Sequence, residues 1–184
     1  MAHYKSALEI AREVGSRHVE GMTILAMASL YQEQASLEAA HASYSEALRV
    51  LREVGNRRGL GLALAGLAAV DGCLLRFAEA AGQLAEANQL LNEVGDQNLL
   101  DALDLYRAHV ELSRAMVSPS DQEAFELERQ VERRVQRAQS ASPPDEVHPA
   151  GLPSPAARSE NVRAALRSLR AAMRRSRHTV RSKT

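Results

Sequence analysis

Tryptophan is missing from this chain, phenylalanine occurs twice, tyrosine four times and cysteine once in 184 residues. With aromatics at 3%, an apolar core has to be built from Ala, Leu, Val and Ile, a palette suited to closely packed helices and against an all-β fold. One cysteine, Cys73, forms no disulfide within the chain, and the start Met1-Ala2-His3-Tyr4-Lys5 has no apolar core of a secretory signal; both point to a reducing, cytoplasmic location. No long hydrophobic run is present either. The longest charge-free apolar stretch, Gly59 to Val70, is about half of what a membrane-spanning helix needs. Proline is absent from the first 118 residues, since all six lie between 119 and 155.

What is present is apolar and helical. Hydrophobic residues make up 45%, enough for a sizeable core and too many for disorder throughout. The net charge of zero conceals an asymmetry: residues 158–184 carry nine Lys or Arg against Glu160 alone, or +8, and the first 157 carry 14 basic and 22 acidic side chains, or −8. The Pro- and Ser-rich stretch 139–158 between them reads as a flexible linker.

Residues 1–138 repeat with a period of forty. Glu13-Val14-Gly15 returns as Glu53-Val54-Gly55 and Glu93-Val94-Gly95, and Ala7 returns as Ala47 and Ala87, Tyr4 as Tyr44, Gly21 as Gly61, and Ala28 as Ala68 and Ala108. A unit of this size cannot bury its apolar face alone and stacks on its neighbours. Each period holds two helical patterns, Ile24, Met27, Ala28 and Tyr31 in one, Ala40, Tyr44, Ala47, Leu48 and Leu51 in the other. Gly15, Gly55 and Gly95 suit a left-handed helix end, with Ser16, Asn56 and Asp96 as caps of the next helix. The spacing predicts helices at 1–14, 17–34, 37–54, 57–75, 77–94, 97–116, 120–138 and 159–176.

The series Ile24, Met27, Ala28, Tyr31, Ala40, Tyr44 and Ala47 resembles the tetratricopeptide repeat in its longer bacterial variant. Leu64, Leu67, Ala68, Asp71, Ala80, Leu84 and Ala87 form a second copy, in which Asp71 takes the aromatic site and is expected to loosen that junction. The third copy keeps Ala108 but sets Asp104, Arg107 and Glu111 at bulky positions, so it serves as a polar cap or its helix is rotated. The resemblance implies an all-α solenoid of antiparallel helix pairs, about three repeats long, of a kind attached to bacterial signalling kinases, ATPases and transcription regulators as a docking or sensing module. In that register Met1 falls part way into a second helix. The chain is then a fragment of a longer solenoid, or the face with Tyr4, Leu8 and Ile10 is covered by another protomer or by the C-terminal helix.

Marks of catalysis are missing. No phosphate-cradling glycine loop, no Cys/His cluster at zinc spacing and no Gly-x-Ser-x-Gly elbow occurs, so no metal, cofactor or catalytic residue is assigned. Glu38-Ala39-Ala40-His41 matches half of a helical di-iron pattern without the second half.

The resemblance instead implies a concave groove along the first helices. Residues one turn from the packing positions would line it: Met22, Leu25, Ser29, Gln32 and Glu33, then Leu62, Ala65, Ala69 and Cys73, then Ala102, Leu105, His109 and Leu112. That lining is mainly apolar, and Leu25 and Ser29 stand where family members that grip acidic chaperone tails carry Lys, Arg or Asn. An apolar helix or extended segment of a protein partner suits it better, and Leu25 and Leu62 suit packing against a neighbouring helix equally well. In the tail, Ser159 is a cap for a helix with Val162, Leu166, Leu169 and Met173 on one face and Arg163, Arg167, Arg170, Arg174 and Arg175 around it. Such a helix could dock on the acidic body or on a partner, lie on an anionic membrane, or neutralise nucleic-acid phosphates. The reading is therefore a non-catalytic interaction module, with a nucleic-acid-associated regulator acting through the tail as the alternative.

Overall fold

A computed structural model describes residues 2–117, 126, 129–134, 136 and 137. The proposed linker 139–158 and the basic tail, with its predicted helix 159–176, lie outside the described residues. Among these residues there is no strand, and six long helices carry the fold: α1 (Ala2–Glu13), α2 (Arg17–Glu33), α3 (Leu37–Glu53), α4 (Arg57–Cys73), α5 (Phe77–Val94) and α6 (Gln97–Val117). Residues 129–134 are also helical.

The helices end where the chain turns left-handed. Gly15, Gly55 and Gly95 take φ of +70°, +67° and +72°, a conformation that costs a residue without a β-carbon little. Ala35 and Leu75 take it too, at φ +55° and +63°. At the first two glycines and at both of these residues the same two bonds close the turn, as in Ser16 N–H to the Ala11 carbonyl and Gly15 N–H to the Arg12 carbonyl. The next helix is then capped unevenly. The Asn56 side chain accepts from Gly59 N–H at 2.9 Å and Asp96 from Asn98 N–H at 3.1 Å. Ser16, expected to do the same, makes no side-chain cap bond.

Each helix packs on its neighbour in sequence, and α4 also meets α2 and α6. Enclosed by four helices, α4 is buried at every residue from Gly59 to Gly72, which explains why that stretch carries no charge before Asp71. A β-carbon on Gly61 would come within 2.6 Å of Leu91, and one on Gly21 within 2.8 Å of Leu51, so the glycines let first and second helices touch.

Side-chain contacts recur displaced by forty residues. Arg12 binds Glu46 at 3.1 Å and Arg52 binds Glu86 at 3.4 Å; Arg17 binds Glu53, and Arg57 binds Glu93 at 2.7 Å. The ends break the pattern. Tyr44 is 1% exposed but its counterpart Tyr4 is 40%, and Val50 is 0% but Ile10 is 58%, because α1 packs closely on α2 alone among the described helices and meets α3 through the Arg12–Glu46 pair.

In α6 the residues joining the core cluster are Leu99, Leu103, Tyr106 and Val110. The last three stand one position ahead of Asp104, Arg107 and Glu111, so the third copy keeps its core by turning its helix about its axis.

Candidate functional site

Leu62, Ala65, Ala69 and Cys73 form one stripe along α4 at helical spacing, on the opposite side from Asp71, which meets α3 and α5. The residues expected to continue the face lie on α2 and α6, both of which pack on α4. The structure leaves little of it bare. Leu25, Leu62, Ala65, Ala69, Ala102, Leu105 and Leu112 are all 3% exposed or less. Met22, Gln32 and His109 are half-buried, and Glu33 and Cys73 are exposed at its edge.

Several polar members of the face serve the fold. The Tyr44 hydroxyl donates to Gln32 Oε1 at 2.7 Å, and the Ser29 hydroxyl lies 3.2 Å from the phenol oxygen and 3.3 Å from the Leu25 carbonyl. Burial lifts the Tyr44 phenol well above its ordinary pKa, so it stays a donor. Met22 Sδ accepts from Asn56 Nδ2 at 3.4 Å, which ties it to the turn before α4.

Cys73 and His109 meet across α4 and α6, Sγ to Nε2 at 3.1 Å. Burial pushes the thiol up and the imidazole down. Both directions favour the neutral forms, and an activated nucleophile needs the reverse, a thiolate beside an imidazolium. The sequence placed both residues on this face but gave no sign that thirty-six positions bring them into contact.

A second polar cluster sits on the other side of α4. Asp71, 1% exposed, accepts from Gln83 Nε2 at 2.7 Å and from Arg76 Nη1 at 3.3 Å, and lies 3.4 Å from His41 Nε2. Asp71 thus joins α3, α4, α5 and the turn before α5, instead of loosening the junction as its departure from the aromatic pattern led one to expect. His41 has a structural partner here.

Glu20, also buried, accepts from Arg12 at 2.9 Å and from Arg17, and the Arg12 bond is the main reason its carboxyl is held below the ordinary range. Among the described residues no three His, Cys, Asp or Glu side chains are grouped to hold a metal ion, and no helix is long and apolar enough to cross a membrane. No family model, curated protein or solved structure matches the chain.

Proposed function

We propose that the chain is a non-catalytic interaction module of tetratricopeptide kind, in which α2 with α3 and α4 with α5 stack as antiparallel pairs of a solenoid. The exposed edge of the face along α2, α4 and α6, at Glu33 and Cys73, then meets a helical or extended segment of another protein, as a docking or sensing part of a regulatory assembly. The observation that carries this reading is the recurrence of Arg12–Glu46 as Arg52–Glu86 and of Arg17–Glu53 as Arg57–Glu93. Contacts repeated at one displacement are what stacking of equal units produces. The neutral Cys73–His109 pair adds no sign of chemistry.

The test is capture of partners by the full chain and by a variant with Glu33→Arg and Cys73→Arg, both at the exposed edge of the face. The module predicts a protein retained by the native chain and lost from the variant, with helicity and melting temperature unchanged. Identical captured sets would overturn it. The +8 charge of the tail favours a second reading, nucleic-acid binding through residues 158–184. Phosphate contacts weaken steeply as salt rises, whereas burial of an apolar segment is nearly indifferent to it, so a salt titration separates the two.

A further inference from the structure

Contacts that recur at a displacement of forty residues leave a gap beside α1. On α3, Glu53 binds Arg17 of α2, Val50 and Leu51 lie against Gly21 of α2, and Ala47 is fully buried. On α5, Glu93 binds Arg57 of α4 at 2.7 Å, Leu91 lies against Gly61, and Ala87 is fully buried. The corresponding residues of α1 and the turn after it are bare. Ile10 is 58% exposed and Val14 70%, Ala7 is only half-buried, and Glu13 makes no ion pair or hydrogen bond among the described residues.

Glu13 is short of a second partner too. Arg49 donates to Glu53 at 2.7 Å and Gln89 to Glu93 at 3.4 Å, each from one helical turn earlier, whereas the residue one turn before Glu13 is Glu9. Like charges at that spacing repel. This flank of α1 therefore presents two exposed acids beside Ile10 and Val14.

We infer that the flank of α1 formed by Ala7, Ile10 and Glu13 docks a helix of another protein that carries Arg in its first turn and Gly four residues later. That is the pattern by which α2 meets α3 and α4 meets α5. Arg-x-x-x-Gly occurs in this chain at Arg17–Gly21 and Arg57–Gly61 alone, and both are already engaged. A second copy offers no substitute. Its α6 holds Gln97 and Asp101 at those two positions, a neutral amide where α1 needs a cation and a carboxylate where it needs bare backbone. No glycine follows Gly151, so the basic tail lacks the pattern as well.

Each contact has its own work. Glycine opposite Ile10 lets the two backbones approach and the isoleucine pack on main chain. The guanidinium reaches Glu9 and Glu13 together and offsets their repulsion. Burial of Ile10 and Val14 supplies affinity, and the charges at the rim set register and direction. This surface shares no residue with the edge at Glu33 and Cys73, so docking here and partner capture there succeed or fail separately.

The probe is a fluorescein-labelled synthetic peptide with the sequence of residues 17–34, added to the full-length protein and followed by anisotropy. It should bind saturably, and Glu13→Arg in the protein should weaken it by about tenfold or more without changing helix content. A peptide with Arg17→Glu should show the reverse preference, binding the Glu13→Arg protein better than the native one. A peptide with Gly21→Leu should not bind. Absence of saturable binding to the native protein overturns the assignment, as does equal binding to the Glu13→Arg variant. Binding lost on Glu53→Arg and kept on Glu13→Arg overturns it too, since the peptide has then exchanged with α2. So does dimerisation of the protein alone that Ile10→Asp abolishes, which gives the flank to a second copy.

Discussion

The ring of Tyr44 lies against Gly66 so closely that a β-carbon at residue 66 would come within 2.3 Å of the phenol. Tyr44 reaches from α3 to α4, and its hydroxyl ends on Gln32 and Ser29 of α2. Gly66→Ala should cost about 3 kcal/mol by overpacking. Tyr44→Phe should cost about 1 kcal/mol for the lost hydrogen bonds. Tyr44→Leu combined with Gly66→Ala should be less harmful than the sum of the two, a coupling that a double-mutant cycle in urea measures.

The left-handed turns without glycine invite a gain of stability. Ala35→Gly and Leu75→Gly should each stabilise the protein, by roughly 1 kcal/mol. Gly55→Ala should move the urea midpoint the other way, since nothing lies within 4 Å of its β-position and the backbone conformation alone sets the cost.

Asp71→Ala removes the common acceptor of Gln83 and Arg76 from a buried place, at a cost of about 2–3 kcal/mol. His41→Ala touches the same carboxylate from a side chain 35% exposed and should cost under about 1 kcal/mol. Thermal melts of the two variants decide it: equal losses would contradict the assignment of Asp71 as the hub.

Burial lowers the pKa of His109, so the unfolded chain takes up a proton before the folded one does. Stability is then fully present above the ordinary imidazole range and falls as the pH drops through it. His109→Gln should flatten the melting temperature between about pH 7.5 and 5.5. Glu20 has the opposite chemistry and the same sign in acid: its carboxyl is held low by Arg12 and Arg17, so its contribution is present above the ordinary glutamate range and lost below it. Glu20→Gln should flatten the lower part of the profile only.

The Cys73 thiol, pushed up by burial and paired with His109, should react slowly with alkylating reagents at neutral pH despite its exposure. A rate above that of a small free thiol at pH 7 would contradict the neutral pair.

The repeat was legible because each copy marks its end with the same glycine and its helix contact with the same alanine; six helix boundaries follow from that register. Ala35 and Leu75 carried no such mark, since their side chains give no hint of a left-handed backbone. Asp71 misled for a related reason. A carboxylate in an aromatic position reads as a defect until Gln83, Arg76 and His41 are seen to converge on it, and those partners come from three different segments. Spacing put Leu25, Leu62 and Leu105 each on one stripe of its helix but gave no sign of their burial, because solvent access depends on what packs around a helix and not on the stripe itself.

Among the described helices α1 packs on α2 and reaches α3 through the Arg12–Glu46 ion pair, while α4 is enclosed on four sides. Tension applied at the N-terminus therefore meets the helix with the fewest neighbours first, and α1 peels away before the centre yields. The molecule gives way in instalments, and the first of them leaves α2, α4 and α6 standing.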